Sequence, residues 1–136
     1  MKLLTIYAEL FKYRLGKKAL PEAECDHEEA SIEDAIVGFI HVEAEDREKG
    51  GAIVTKLIKN LKWLAGKNGT KRIVLHSFAH LSESKADPAF VREVLDKARE
   101  RLENAGYEVY ETPFGFFLDL EVRAPGHPLA RVFKSF

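Results

Sequence analysis

Histidines are the side chains in this sequence best suited to assist a reaction near neutral pH, and the chain has five of them. His80 has the most suggestive setting, within residues 76–82 (HSFAHLS), after a short apolar segment and before a helical pattern. Ligands of open α/β sheets bind beyond the carboxyl ends of strands. A histidine there can donate, accept or orient a proton. His80 is therefore our candidate catalytic residue, with a loop hydrogen-bonding role as the alternative.

The other histidines have settings that favour structural roles. His27 lies in an acidic stretch and is expected to be solvated, and His127 follows a turn glycine. His41 and His76 belong to apolar segments, where a histidine is more often a satisfied core residue than a ligand. His76 and His80 are four residues apart, but they lie at the end of an apolar strand pattern and in a polar loop and not in a helical pattern, and Cys25 is the single cysteine. The sequence therefore predicts no cofactor, metal site or disulfide, with a metal site assembled from distant segments left open.

A second segment that could contact a ligand is 112–117 (TPFGFF). Its proline and glycine predict a tight turn between two strands, and Gly115 would let a ligand approach the backbone. Aromatic side chains beside such a turn can stack on a nucleic-acid base. Alternation over 116–122 puts Phe116 on the apolar side of the second strand, so we expect Phe117 to be the pocket aromatic and Phe116 a core residue.

Apolar periodicity predicts the strands that come before these segments. Short apolar runs at 2–8 and 10–16 predict two strands, expected to form a hairpin. Residues 19–31 are rich in acids and predict a loop. Nearly continuous apolar residues at 35–43 predict a strand buried on both faces, as in the middle of a sheet.

The second half of the chain alternates helical and strand patterns. Apolar residues at helical spacing predict a helix over 52–66. A second helix begins at Asp87-Pro88, because aspartate caps a helix well and proline suits its first position. The remaining predicted elements are short strands at 72–76, 107–112 and 116–123 and a short helix from Pro128. The fold class is thus α/β, in the order β-β-β-α-β-α-β-β plus a short C-terminal helix.

Length and composition fit one globular domain over residues 1–136. The chain is 46% hydrophobic and 32% charged, which is enough apolar material for a core. No apolar run approaches the roughly 20 residues of a membrane-spanning helix. The first residues are too short and strand-like for a signal peptide, so the cytoplasm is the default location. Because residues 133–136 begin an amphipathic pattern, we expect a domain of a longer chain.

Charge and the absence of common motifs exclude several classes of protein. A net charge of −1 does not fit a strongly basic nucleic-acid-binding domain, so any such contact must use a local patch. A basic cluster within 12–18 is a candidate, whereas the acids of 22–34 predict a solvated loop. The chain has no P-loop, G-x-G-x-x-G, H-E-x-x-H or G-x-S-x-G motif. ATP use, dinucleotide binding, zinc proteolysis and serine-hydrolase chemistry therefore lack support.

Three segments together resemble one family. Residues 74–82 (VLHSFAHLS), 113–117 (PFGFF) and 126–130 (GHPLA), at these spacings, resemble the N-terminal editing domain of archaeal-type threonyl-tRNA synthetases. The resemblance covers essentially the whole chain and implies the fold of D-aminoacyl-tRNA deacylases, usually a homodimer. It also implies hydrolysis of serine wrongly attached to the acceptor end of threonine tRNA, with threonine spared. The terminal 2′-hydroxyl of the tRNA would help to activate the attacking water, a role otherwise taken by a protein base.

The resemblance also implies roles for individual residues. His80 would line the pocket beside the ester or the ribose. Ala79 and Val42 would present backbone groups to the substrate from opposite walls. The walls around the adenosine and the ester would be formed by Phe114, Gly115 and Phe117.

The sequence departs from the family pattern at two places. Relatives carry tyrosine and lysine where this chain has Phe117 and Leu118, and an acidic residue where it has Arg131. The lysine is associated with telling serine from threonine, so we expect another source of selectivity, with Arg131 as the candidate cation. The alternatives are a D-aminoacyl-tRNA deacylase and a non-catalytic tRNA-binding or dimerisation module. A synthetase catalytic domain would lie in the same chain or in a separate one.

Overall fold

Six strands and two helices form the molecule in a computed structural model that describes residues 1–136. The elements are β1 (Lys2–Lys18), β2 (Glu29–His41), α1 (Ala52–Lys67), β3 (Arg72–Ser77), α2 (Pro88–Asn104), β4 (Glu108–Glu111), β5 (Phe116–Arg123) and β6 (Arg131–Ser135). Short 3-10 helices, Ala44–Lys49 and Pro128–Ala130, precede α1 and β6. All strands belong to one sheet in the order β4-β3-β2-β1-β5, and β6 pairs with the same edge of β1 as β5 does.

The two helices cover one face of the sheet because each carries a continuous apolar stripe. The stripe of α1 is formed by Ile53, Leu57, Leu61 and Leu64, all fully or almost fully buried. α2 begins as predicted, since the Asp87 carboxylate accepts a hydrogen bond from the Phe90 N–H at 2.9 Å. Neither helix is long and apolar enough to cross a membrane. The amino end of α2 lies at the sheet edge where the parallel strands β3 and β4 finish.

The hairpin predicted over residues 2–16 is wrong, because β1 is a single strand of 17 residues. It pairs with β2 over residues 2–14 without a change of register. The apolar alternation nevertheless changes phase, since Ala8 and Phe11 are buried in the same cluster although they are three residues apart. β2 changes phase at the same level, where Asp34 has a φ of +50°. Two apolar runs in the sequence therefore belong to one kinked strand.

The predicted acidic loop is also too long, because β2 already begins at Glu29. In this part of β2, Ala30 and Ile32 face the protein while Glu29, Ser31 and Glu33 are exposed. Acidic and apolar residues alternate with the period of a strand that has one solvated face. The alternation is compatible with pairing to β1, whose Arg14 lies opposite Glu29.

The short helix predicted from Pro128 is observed, but the strand that follows it was not predicted. Pro128 opens a 3-10 helix of only three residues, and the chain then forms β6. β6 pairs with residues 2–6 of β1, next to the part of that edge that β5 occupies. An edge with unpaired backbone groups favours strand pairing over a short amphipathic helix.

The sheet face opposite the helices carries a second apolar cluster that no helix covers. Its members are Ala8, Phe11, Tyr13, Ile32, Ala35, Val37, Phe39 and Val74. Leu118 packs against this cluster, but Leu120 and Val122 farther along β5 stay 39% and 38% exposed. The expectation that this side of β5, including the half-buried Phe116, belongs to the core is therefore wrong for the single chain.

Candidate active site

A cleft of about 450 Å³ lies where β3 and β4 end and α2 begins. Residues 77–80 form one wall, residues 113–115 with Phe117 form the other, and parts of 85–91 and 19–20 close the ends. The lining is mostly apolar and contains no carboxylate. This is the position at which α/β sheets bind ligands. A smaller depression of about 220 Å³ on β1 and β5 is lined by mixed charges and offers less apolar surface.

His41 holds the loop that connects β3 to α2. The Leu81 N–H donates to His41 Nδ1 at 2.9 Å, so this nitrogen carries no proton. The proton of the neutral ring is then on Nε2, which donates to the Ser84 carbonyl oxygen at 2.7 Å. The prediction of a satisfied, structural His41 is confirmed. Its two hydrogen bonds fix the loop that carries His80.

Glu43 ties the same loop to the first residues of the chain. Its carboxylate lies 2.8 Å from the Met1 ammonium and accepts a hydrogen bond from the Ser82 hydroxyl at 2.7 Å. Burial disfavours the charged form of Glu43, but hydrogen bonds from Met1, Ser82 and Lys2 outweigh it and lower the pKa to about 2. The buried ammonium also lies 2.8 Å from Asp46. Charge-assisted bonds therefore brace one wall of the cleft.

His80 forms the exposed end of a row of aromatic rings. Its ring centroid is 4.9 Å from that of Phe78, which is 5.7 Å from that of His76. Since the cleft contains no carboxylate, nothing there orients or charges the imidazole as in a catalytic triad. His80 can therefore donate or accept a hydrogen bond with a ligand, but no neighbouring group makes it a strong base.

His76 is the buried member of this row and links the two walls. Its Nδ1 is 2.9 Å from the Thr112 hydroxyl, and its Nε2 is buried without a hydrogen-bond partner. Burial, with a smaller contribution from the charge of His80, lowers the pKa of His76 to about 4. The ring is therefore neutral at pH 7 and packs edge-on against Phe39. The buried position predicted for His76 is confirmed, but only one of its two ring nitrogens is satisfied.

Gly115 shapes the second wall through its conformation. Its φ is +85°, a value that few other residues adopt. Its carbonyl oxygen accepts hydrogen bonds from the N–H groups of Ala19 and Leu20 at 2.7 and 3.1 Å. A Cβ on Gly115 would lie 2.7 Å from the Cβ of Ala23. The close approach that requires glycine here is to residues 19–23 of the protein itself.

The two aromatic side chains of this wall, Phe114 and Phe117, differ in how tightly they are packed. Phe117 is 55% exposed at the rim, which confirms the prediction of a surface or pocket aromatic. Phe114 packs against the main core and lies 5.2 Å below the guanidinium of Arg92. Arg92 is itself paired with Asp96 and Glu111. Phe117 can therefore move to stack on a ligand, whereas Phe114 is part of a fixed surface.

The cleft brings together most of the predicted site residues. Those that line it are Ala79, His80, Phe114, Gly115 and Phe117. Val42 is buried behind the loop, where its carbonyl oxygen accepts the Ala86 N–H at 3.1 Å. The third sequence motif, 126–130, also lies outside the lining. Val42 therefore supports the cleft instead of facing it.

Arg131 is far from the cleft within one chain. It pairs with Ile6 of β1, whereas Leu118 pairs with Leu15. These two β1 positions are nine residues apart in number, or about 30 Å along the strand. The guanidinium of Arg131 donates to the Pro125 carbonyl oxygen at 3.0 Å. The structure does not bring Arg131 to the place of the lysine that Leu118 replaces.

Lys85 is a cleft residue that the sequence interpretation missed. The available signal was its position in the same loop as His80, just before the Asp87-Pro88 helix start. An exposed lysine next to a helix cap is common on protein surfaces. Its significance becomes visible only once both walls of the cleft are in place.

The segment around His27 is more ordered than the sequence suggested. His27 Nε2 is 2.7 Å from the hydroxyl of Tyr13, and its Nδ1 is 2.9 Å from the Asp26 carboxylate. The potential metal-ligand atoms of Cys25, Asp26 and His27 lie within 4.8 Å of one another. Their mutual hydrogen bonds, which also join the segment to β1, account for the arrangement.

The sheet and its helices define a D-aminoacyl-tRNA deacylase-like fold. The chain superposes on a solved structure described as "c-Myc DNA Unwinding Element Binding Protein" with a TM-score of 0.71 and 11% identity. The match covers 100% of this chain and 99% of that one. At this identity the similarity shows the fold alone.

Comparison of sequences is more specific. Residues 1–136 match the family described as the archaea-specific editing domain of threonyl-tRNA synthetase, and the chain belongs to this family. Threonine–tRNA ligases of Thermococcus kodakarensis and Hyperthermus butylicus are 33% and 34% identical to it, over 99% and 100% of this chain. The matches cover 22% and 23% of those ligases, so the chain spans less than a quarter of their length. The family resemblance expected from the three motifs is confirmed.

Proposed function

We propose that this domain hydrolyses the ester of mischarged seryl-tRNA(Thr) and spares threonyl-tRNA(Thr). Membership of the editing-domain family supports a proofreading role. The observation that carries the proposal is the cleft, in which the loop of His80 faces an exposed aromatic, Phe117. The aminoacylated end of a tRNA has matching parts, an ester with polar atoms and a flat base.

Backbone groups of the loop can receive the ester. The N–H groups of Ala79 and His80 form no backbone hydrogen bond, whereas the next N–H, that of Leu81, is held by His41. Two consecutive free donors on an anchored loop can stabilise the oxyanion of a tetrahedral intermediate. The base would stack on Phe117, a contact worth about 1–3 kcal/mol in single-stranded nucleic-acid complexes.

In this proposal the tRNA supplies the group that activates water. The cleft contains no cysteine or carboxylate, and its one serine, Ser77, is not hydrogen-bonded to a base. The pairs needed for a protein nucleophile or a charged general base are therefore missing. The 2′-hydroxyl of the terminal ribose is adjacent to the ester and can orient the water. Positioning by the protein can then supply roughly 7–11 kcal/mol of the barrier reduction.

We attribute the discrimination against threonine to steric exclusion of its extra methyl group by the fixed surface of the cleft around Phe114. Threonine has one methyl group more than serine, and an apolar pocket distinguishes one such group by about 1–3 kcal/mol, or about 10- to 200-fold. Phe117, which stands where relatives have tyrosine, lines this cleft, whereas Leu118 packs against the second apolar cluster on the opposite face of the sheet. We expect a selectivity within this range.

The test is the release of amino acid from three substrates: seryl-tRNA(Thr), threonyl-tRNA(Thr) and a D-aminoacyl-tRNA. We expect the seryl substrate to be hydrolysed at least about tenfold faster than the threonyl one. Faster release of the D-amino acid would favour the deacylase alternative. Binding without release from any substrate would favour the non-catalytic module and overturn the proposal.

Two variants of the test address the mechanism. A tRNA that ends in 2′-deoxyadenosine should bind but not turn over, and normal turnover would refute the role of the hydroxyl. His80→Ala should lower kcat/KM, whereas His127→Ala, an exposed histidine outside the cleft, should not. Equal effects of both substitutions would remove His80 from the site.

We also infer that the domain is a homodimer, formed by the sheet face that no helix covers. Leu120 and Val122 of β5 and Phe133 of β6, which is 52% exposed, extend the second apolar cluster to the surface. Light scattering should give the mass of two chains, and Leu120→Lys should reduce it to one. A monomeric wild-type chain would refute this assembly. A synthetase catalytic domain, in the same chain or a separate one, would supply the charged tRNA in the cytoplasm.

A further inference from the structure

Lys85 is an unpaired cation in a cleft that holds no acid. The lining contains one lysine and one histidine as its titratable side chains. The Lys85 ammonium has no ion-pair partner, whereas neighbouring cations do: Arg92 contacts Glu111, and Arg47 lies 2.6 Å from Asp87. Lys85 therefore gives the cleft a positive charge that no ion pair neutralises.

The backbone on both sides of Lys85 is fixed. The carbonyl oxygen of Ser84 accepts the His41 Nε2–H at 2.7 Å. The N–H of Ala86 donates to the Val42 carbonyl oxygen at 3.1 Å. Only the side-chain torsions of Lys85 have to be ordered when a ligand binds, which reduces the entropy lost on binding.

The chemistry of the cleft indicates which part of the ligand meets this charge. The α-amino group of an aminoacyl ester is itself cationic near neutral pH, so an ammonium would repel it. The base needs the apolar and aromatic surfaces. The remaining anionic group is the phosphate of the nucleotide backbone, for which lysine acts as a mobile point charge.

We propose that Lys85 binds the phosphate that joins the last two nucleotides of the tRNA and thereby positions the terminal adenosine in the cleft. This inference rests on the proposed tRNA substrate. It makes Lys85 a binding and positioning residue and leaves the water-activating step to the 2′-hydroxyl. It also gives the cleft a source of positive charge other than the distant Arg131.

The test compares Lys85→Met, which keeps much of the apolar stem, with Lys85→Arg, which keeps the charge. Lys59→Met on the exposed side of α1 is the matched control. Affinity is measured for an acceptor-stem RNA hairpin with serine joined to its 3′ end by a non-hydrolysable amide, at several salt concentrations. Turnover of seryl-tRNA(Thr) is measured in parallel.

We expect Lys85→Met to weaken binding and raise KM roughly three- to tenfold while kcat stays within about twofold. The slope of log affinity against log salt should become shallower by about 0.7, the value for one contact to a single-stranded phosphate. Lys85→Arg should restore most of the affinity, and Lys59→Met should change neither quantity.

An unchanged salt slope in Lys85→Met, or a loss of kcat at constant KM, would overturn the assignment of Lys85. If the wild-type domain binds the hairpin with the same slope as Lys85→Met, this inference fails while the proposed function stands. If the wild-type domain neither binds the hairpin nor releases serine, the proposed function fails and Lys85 loses its role with it.

Discussion

Gly115→Ala should destabilise the domain much more than Gly69→Ala does, although both glycines have positive φ. Their φ values are +85° and +66°. They differ in surroundings, because a Cβ on Gly69 would meet nothing within 4 Å, whereas a Cβ on Gly115 would lie 2.7 Å from that of Ala23. The pair therefore separates the conformational penalty from the steric one.

The magnitude follows from these two contributions. A left-handed alanine costs roughly 1–2 kcal/mol relative to its preferred conformations, and the lower entropy of the unfolded chain offsets about 0.4–1 kcal/mol. We therefore expect a loss of about 1 kcal/mol for Gly69→Ala. At Gly115 the Cβ would be 0.7 Å inside the 3.4 Å limit of ordinary contact with Ala23. Overpacking of this kind adds roughly 1–3 kcal/mol, so the expected loss is about 2–4 kcal/mol.

Urea denaturation followed by circular dichroism measures both losses, provided that the two variants keep the same m-value. Deacylation by folded Gly115→Ala should also fall, since the residues that its carbonyl oxygen holds, Ala19 and Leu20, line the cleft. Equal losses of stability for the two variants would show that residues 19–23 yield without cost. That result would refute the steric account of this turn.

Three further predictions concern the supports of the cleft. His76→Phe should make the stability of the domain less dependent on pH. The pKa of His76 is about 4, so its stabilising contribution is complete above pH 6.5 and is lost as the pH falls towards 4. If the substitution leaves the change in urea midpoint between pH 7 and pH 4 as it is in the wild type, this prediction is wrong. Glu43→Gln should cost about 1.5–3 kcal/mol at pH 7 by weakening charged hydrogen bonds. Because the pKa of Glu43 is about 2, its contribution persists above pH 4.5 and fades between pH 4.5 and 2, so the loss in thermal unfolding should shrink at pH 3. Asp87→Ala should cost about 1 kcal/mol by removing the cap of the Phe90 N–H, and an unchanged melting temperature would contradict it.

Elements that carry a complete local signal could be predicted from the sequence. The helix predicted over 52–66 is observed as Ala52–Lys67, and the start predicted at Asp87-Pro88 is observed. Both signals are local, since helical periodicity and capping involve residues only a few positions apart. The strand predicted at 72–76 is observed as Arg72–Ser77, because a short run of apolar residues is also a local signal.

Elements that depend on a partner strand could not be predicted in this way. The kink of β1 occurs level with Asp34 of β2, so the two apolar runs of β1 look like separate strands until the pairing is known. Residues 131–135 form a strand because β5 pairs only with residues 10–18 of β1 and leaves the same edge of residues 2–6 free for β6. A periodicity analysis of one segment contains no information about such an edge.

The same distinction applies to the candidate site. Three spaced motifs in the sequence were enough to identify the family and to mark His80 and the turn at Gly115 as candidate site positions. Which side chains share the cleft depends on how distant segments pack together. In the folded chain Lys85 lines the cleft and Val42 lies behind the loop. Arg131 pairs with β1 about 30 Å along the strand from the position opposite Leu118. The physical reason is that sheet register and loop anchoring, both made of contacts between residues distant in sequence, set these distances.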